Sequence, residues 1–148
     1  MSARTVSATR VIPADAAAIF DVLADPSRHA AIDGSGTLEH PRDAPDRLVL
    51  GSTFSMGMTW GVHYITRNRV VEFEEGRRIA WHHFSQFIWR YELTPATDGT
   101  QVVETFDYSV PWGVLIEPLG WPERNRRSME ATLANLDAAV TGTSSHQD

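Results

Sequence analysis

From Thr53 to Trp60 the chain alternates strictly: Phe54, Met56, Met58 and Trp60 are large and apolar, whereas Thr53, Ser55, Gly57 and Thr59 are small or polar. A period of two places the first set on one face of a β-strand and the second on the other. A strand with one apolar face must be covered, and the C-terminal part of the chain supplies the cover. Met129, Leu133, Leu136 and Val140 recur at spacings of four, three and four, one stripe of a long helix. Pro122 suits its first turn, and Arg124, Arg127, Glu130 and Asp137 fall on its exposed side. Such a chain predicts an α+β fold in which a sheet packs one face on a helix.

The intervening sequence extends this pattern. Residues 4–12 are rich in Thr, Val and Ile and read as a first strand ended by Pro13. Asp15 is placed to cap a helix carrying Ile19, Phe20 and Leu23 on one face. Asp25-Pro26 then starts a second short helix to about Ile32, stopped by Gly34 and Gly36. Residues 37–50 read as a weak edge strand plus loop. Strands follow over 53–60, 62–74, 78–84, 88–94 and 100–109, with a hairpin turn at Asp98-Gly99. Residues 111–118 form an irregular apolar approach to the final helix. A single domain over 1–140 and a small, polar, frayed tail over 141–148 are expected.

The 148 residues, 42% hydrophobic, suffice for one sizeable core. The net charge of -6, with 13 basic against 19 acidic residues, argues against nucleic acid as a partner. The arginine clusters at 67/69, 77/78 and 124/126/127 each have acids nearby. The absence of Cys excludes disulfides, thiolate catalysis and Cys-based zinc sites. His82 and His83, adjacent on a strand, point to opposite faces, and no His pair has helical spacing, so no metal and no cofactor are expected. No apolar leader or bilayer-length segment is read, which makes cytoplasmic the expected location.

Three stretches carry a resemblance. Val11-Ile12-Pro13-Ala14-Asp15 leads into Ile19 to Pro26; Val70-Val71-Glu72-Phe73 faces Arg77-Arg78-Ile79-Ala80-Trp81; Tyr91-Glu92-Leu93-Thr94-Pro95 precedes Asp98-Gly99-Thr100. Over about residues 3–140 the chain resembles the START-like SRPBCC superfamily, in particular its polyketide cyclase/dehydrase branch. The resemblance implies a helix-grip fold: a curved antiparallel sheet of six or seven strands around a long C-terminal helix, with two short helices after the first strand. It implies a ligand cavity between sheet and helix. The superfamily spans lipid and hormone carriers, polyketide cyclases, oxygenase domains and co-chaperones, so membership does not choose an activity.

Side-chain parity yields the candidate lining. Phe54, Met56, Met58 and Trp60 share one face; Trp81, Trp89 and Tyr91 face in if Arg90 and Glu92 face water. The Asp98-Gly99 turn pairs Leu93 with Glu104 and Tyr91 with Phe106, which carries Glu104, Phe106 and Tyr108 inward. A bulge at Gly99 would instead turn Asp107 inward. Over 62–74, outward Glu72 and Glu74 would force Arg67 and Arg69 inward unless a bulge intervenes, which leaves His63 and Tyr64 as alternative lining residues. Asn125, Met129 and Leu133 complete the list from the helix. An aromatic and Met-rich concave wall suits a flat or greasy ligand. The bland alternative is that these side chains simply fill a core.

Three functions follow from this reading. A carrier of a hydrophobic, aromatic or polyketide-like molecule needs only the cavity. A cyclase or dehydratase needs in addition a His and a carboxylate for proton transfer, and the candidates are His83, or His63, with Glu104 or Asp107. A co-chaperone-like or homodimeric interaction protein needs an exposed apolar patch, for which Trp112 to Ile116 is the candidate; the same segment also suits a cavity lid.

Overall fold

The computed structural model describes residues 4–142 except 83–85, the side chains of residues 40, 42 and 60 aside. The chain opens with β1 (Thr5–Ile12), then α1 (Ala16–Leu23), a 3-10 turn (Pro26–Arg28) and α2 (His29–Ile32). Six strands follow: β2 (Leu38–Asp43), β3 (Thr53–Trp60), β4 (Val62–Glu74), β5 (Arg78–His82), β6 (Ile88–Ala96) and β7 (Gly99–Asp107). A 3-10 segment (Pro111–Leu119) leads into α3 (Trp121–Thr141). All neighbouring strands are antiparallel, in the order β1-β7-β6-β5-β4-β3-β2. The sheet curls around α3, which is the helix-grip fold. Among the described residues, no helix is long and apolar enough to cross a membrane.

The apolar stripe of α3 packs as its spacing requires: Met129, Leu133 and Leu136 are buried, and Val140 packs against the core. The helix lies along β1, where Arg10 Nε donates to Asp137 Oδ2 at 2.8 Å. Thr141 is the last residue of α3, and Gly142 caps it in the left-handed conformation, so the helix reaches into the expected tail; residues 143–148 lie outside the described residues.

The short helices close one end of the sheet. α1 buries Ile19, Phe20, Val22 and Leu23, and the Phe20 ring meets Phe73 edge-on at 5.5 Å. Asp15 occupies the cap position of α1 without a side-chain hydrogen bond. Asp25 does cap its turn: Oδ1 accepts from Ser27 N at 3.0 Å. Asp25→Ala should therefore cost about 1 kcal/mol in urea unfolding, with an unchanged slope. Past α2, Gly34 lies against α3. Its N–H donates to Thr132 Oγ1 at 2.8 Å, and Asn135 Nδ2 donates to the Ile32 carbonyl at 3.1 Å.

Two register features decide which side chains enter the interior. The hairpin between β6 and β7 turns at Thr97-Asp98, with Ala96 opposite Gly99, one position before the expected Asp98-Gly99 turn. Leu93 consequently pairs with Val102, Tyr91 with Glu104 and Trp89 with Phe106. The pairing has moved by two residues, so the parity survives and Glu104 still points inward. Glycine is required just after the turn, where β7 meets the end of β1: at φ 143° a Cβ on residue 99 would lie 2.1 Å from the Ile12 carbonyl oxygen. In β4 the register shifts between Val70 and Glu72. This bulge lets Thr66, Asn68 and Val70 face in before it and Phe73 after it, while Arg67, Arg69 and Glu72 face out.

Candidate functional site

The interior face of the sheet meets α2 and α3 around one polar pair. Tyr91 on β6 and Glu104 on β7 are cross-strand partners, 5% and 3% exposed, and Tyr91 Oη donates to Glu104 Oε2 at 2.9 Å. The second carboxylate oxygen, Oε1, is buried and has no hydrogen-bond partner among the described residues. Burial pushes the Glu104 carboxyl up to about 8; the hydrogen bond from Tyr91 opposes the shift, and the negative charge of Asp33 adds to it. Near neutral pH Glu104 therefore holds its proton. With Oε2 taken by the Tyr91 hydroxyl, the proton belongs on Oε1. Burial, then Glu104 itself, raises the Tyr91 phenol well above its ordinary value.

Aromatic rings cluster on the same face of the sheet, beginning beside Tyr91. Trp81 stacks on His29 at 5.0 Å and 19°, meets Phe54 edge-on at 5.6 Å and lies 5.7 Å from Tyr91. Trp89 lies 4.7 Å from Phe106, which in turn stacks on Tyr108 at 5.5 Å. His29 is buried in α2. Its Nε2 donates to the Leu23 carbonyl at 2.8 Å, and burial lowers its pKa, so the ring is neutral and Nδ1 is the acceptor nitrogen. Asp33, just past α2, accepts from the backbone amides of Ser35, Thr37 and Leu38 at 3.1–3.2 Å.

The expected lining residues are distributed unevenly. Phe54, Met56, Tyr91, Phe106, Tyr108, Met129 and Leu133 are buried, and Trp81 and Trp89 are partly buried against the core. Met58 and Asn125 are half-buried. Tyr64 has inward parity but lies beyond the core, 38% exposed, and His63 faces outward beside Glu39 and Thr59. The expected alternative at Asp107 is not realised. Its carboxylate lies on the outer face, 3.5 Å from Arg90, in a network where Arg90 grips Glu72 through two hydrogen bonds of 2.7 and 2.8 Å. The preserved parity of β7 is the cause. His83 and the Trp60 side chain lie outside the described residues.

The rings of the wall lie against one another, so large aromatics interleave where the resemblance implies a cavity, as in the alternative of a filled core. A cleft of about 320 Å³ is lined by Thr53, Ser55, Arg67, Arg69 and His82 of the outer face, by Asp43 and Gln86, and also by the inward-facing Phe54 and Asn68. The segment at Trp112 to Ile116 is a 3-10 helix with Ile116 buried and Trp112, Val114 and Leu115 exposed.

Sequence reasoning passed over His29, Asp33 and Asn68. His29 lies three residues before Ile32 on the same face of a short helix, and that spacing alone could have marked it as interior. Asp33 reads as a helix terminator, and only the fold brings its charge near Glu104. Asn68 was hidden by the bulge; it is 7% exposed, and its Nδ2 donates to the Phe54 carbonyl at 3.4 Å.

A curled seven-stranded antiparallel sheet gripping a long C-terminal helix defines the class of fold. The profile of the family described as polyketide cyclase / dehydrase and lipid transport matches residues 3–141, and the chain belongs to that family. An uncharacterized protein of Mycobacterium tuberculosis, Rv0088, is 36% identical over 140 residues. The match covers 88% of this chain and 62% of that relative, so the chain spans under two thirds of its length. A crystal structure of a Rhodobacter sphaeroides protein superposes with a TM-score of 0.75 at 16% identity, covering 97% of this chain and 95% of that one. The solution structure of the AHSA1-like protein from Aeromonas hydrophila gives 0.66 at 18% identity, covering 98% and 99%. At these identities the two structures speak for the fold alone.

Proposed function

We propose that this protein binds a hydrophobic small molecule between the sheet and α3, with the Glu104–Tyr91 pair as its polar anchor. One observation carries the reading: the unpartnered Oε1 of Glu104, buried beside the Tyr91 phenol. Native interiors rarely leave a buried polar atom unsatisfied, and such an atom calls for a partner. A core selected only for packing would place Leu or Met at this position, without the cost of burying a carboxyl. The family description, which includes lipid transport, supports a carrier role. Trp81, Phe54 and Tyr91 meet as separate rings hinged at their own χ angles, so a flat guest would enter by parting them.

The neutral, polarity-sensitive dye Nile red tests this. Fluorescence should rise with a blue shift on titration, the thermal midpoint should climb with dye concentration, and Trp81→Ala should alter the affinity. Fluorescence unchanged by the folded protein would remove the proposal.

A further inference from the structure

We infer that the interior ligand is a neutral compound whose carbonyl oxygen accepts a hydrogen bond from Glu104 Oε1. This rests on the interior-ligand reading and narrows it to a chemical class.

The geometry selects the class by elimination. Tyr91 has one proton to donate, and Glu104 Oε2 receives it at 2.9 Å. The carboxyl proton therefore resides on Oε1, the oxygen without a partner. A buried hydroxyl donor here lacks an acceptor, and a ketone, quinone, ester or lactone oxygen supplies one without bringing a charge. A ligand carboxylate is disfavoured, since the Asp33 charge near the site repels it and its own charge would be buried without a partner.

The groups around Glu104 agree. β6 contributes Tyr91 and β1 contributes Ala8 as register partners. The buried residues of α3 are Pro122, Met129, Thr132, Leu133 and Leu136, none of them titratable. α2 and its end contribute neutral His29 and the Asp33 carboxylate. No buried cation faces Glu104 among these elements, so its ionisation would be uncompensated. Binding of a carbonyl compound should therefore weaken as pH rises through about 8, where Glu104 loses the proton the ligand needs.

Fluorenone and fluorene form a matched pair of flat aromatics that differ by a carbonyl against a methylene. Each is titrated against bound Nile red at about pH 6 and about pH 9.5, either side of the Glu104 transition. Wild-type protein should prefer fluorenone about tenfold at the lower pH, the worth of one buried hydrogen bond, and should lose most of that preference at the higher. Glu104→Gln keeps an N–H donor that does not titrate, so its preference should persist at both pH values. Glu104→Leu should show no preference at either. Circular dichroism of each variant confirms that it is folded. Equal displacement by both compounds in wild type, no displacement by fluorenone, or a preference that survives in Glu104→Leu overturns the carbonyl assignment while leaving Nile red binding intact. Loss of Nile red binding itself overturns the site and the assignment together.

Discussion

Glu104→Gln should make the protein more stable, and by an amount that grows with pH. The carboxyl titrates near about 4.3 in an unfolded chain. In the fold it titrates near about 8, raised first by burial. Between these values the folded state keeps a proton that the unfolded state has released. Stability contributed at low pH is therefore lost as pH rises, and the loss is complete above the folded value. A glutamine has no such proton. At about pH 5 the variant should lie within about 1 kcal/mol of wild type, and at about pH 9 it should be roughly 3–5 kcal/mol more stable, with a midpoint about 10 °C higher. Urea unfolding at several pH values reads this directly. Parallel curves for the two proteins across that range would show that Glu104 is not held neutral by the fold.

Gly34→Ala should be among the most damaging single-methyl additions to the molecule. A Cβ at residue 34 would lie 2.3 Å from the Ser128 carbonyl oxygen, 2.6 Å from Ala131 Cβ and 2.7 Å from Thr132 N. Two of these are backbone atoms in the middle of α3 and cannot swing aside. Relief requires the α2 end to move off the helix, which breaks the hydrogen bonds from Gly34 N to Thr132 and from Asn135 to Ile32. A loss of about 3 kcal/mol is expected from the overpacking and the broken bonds together. Thermal unfolding measures it. The displaced α2 end also carries His29 and Asp33, so ligand affinity should fall with stability. Gly34→Ala at wild-type stability would mean that the two segments do not meet this closely.

The parts of the fold written in short-range periodicity were legible in the sequence. The alternation over 53–60 became β3, and the spacing of Met129, Leu133 and Leu136 became the buried stripe of α3. Glu104 was placed inward for a sound reason, since parity survives a register change of two residues even though the turn itself was placed wrongly. The Val70/Glu72 bulge resolved the conflict between the glutamates and arginines of β4, but its position depends on pairing with β5 and so on residues distant in sequence. The polar partners were harder still. Asp33 influences Glu104 across 71 positions of chain through the docking of α2, which no local pattern encodes. The filling of the interior was also illegible, because alternation fixes which face a ring occupies and is silent about the rotamer it adopts.

The two free margins of the sheet have a consequence for behaviour at high concentration. β1 is flanked by α3, whereas β2 meets the short α2 and the 3-10 turn before it, and among the described residues no strand pairs with its outer edge. An unpaired strand edge is a template for adding a strand from another molecule. β2 is poorly suited to that use: it shifts register twice within six residues and contains Pro41, which has no amide hydrogen to offer. The irregularity that looks like a weak strand thus acts as a guard against runaway polymerisation, and straightening it would expose the molecule to fibre growth.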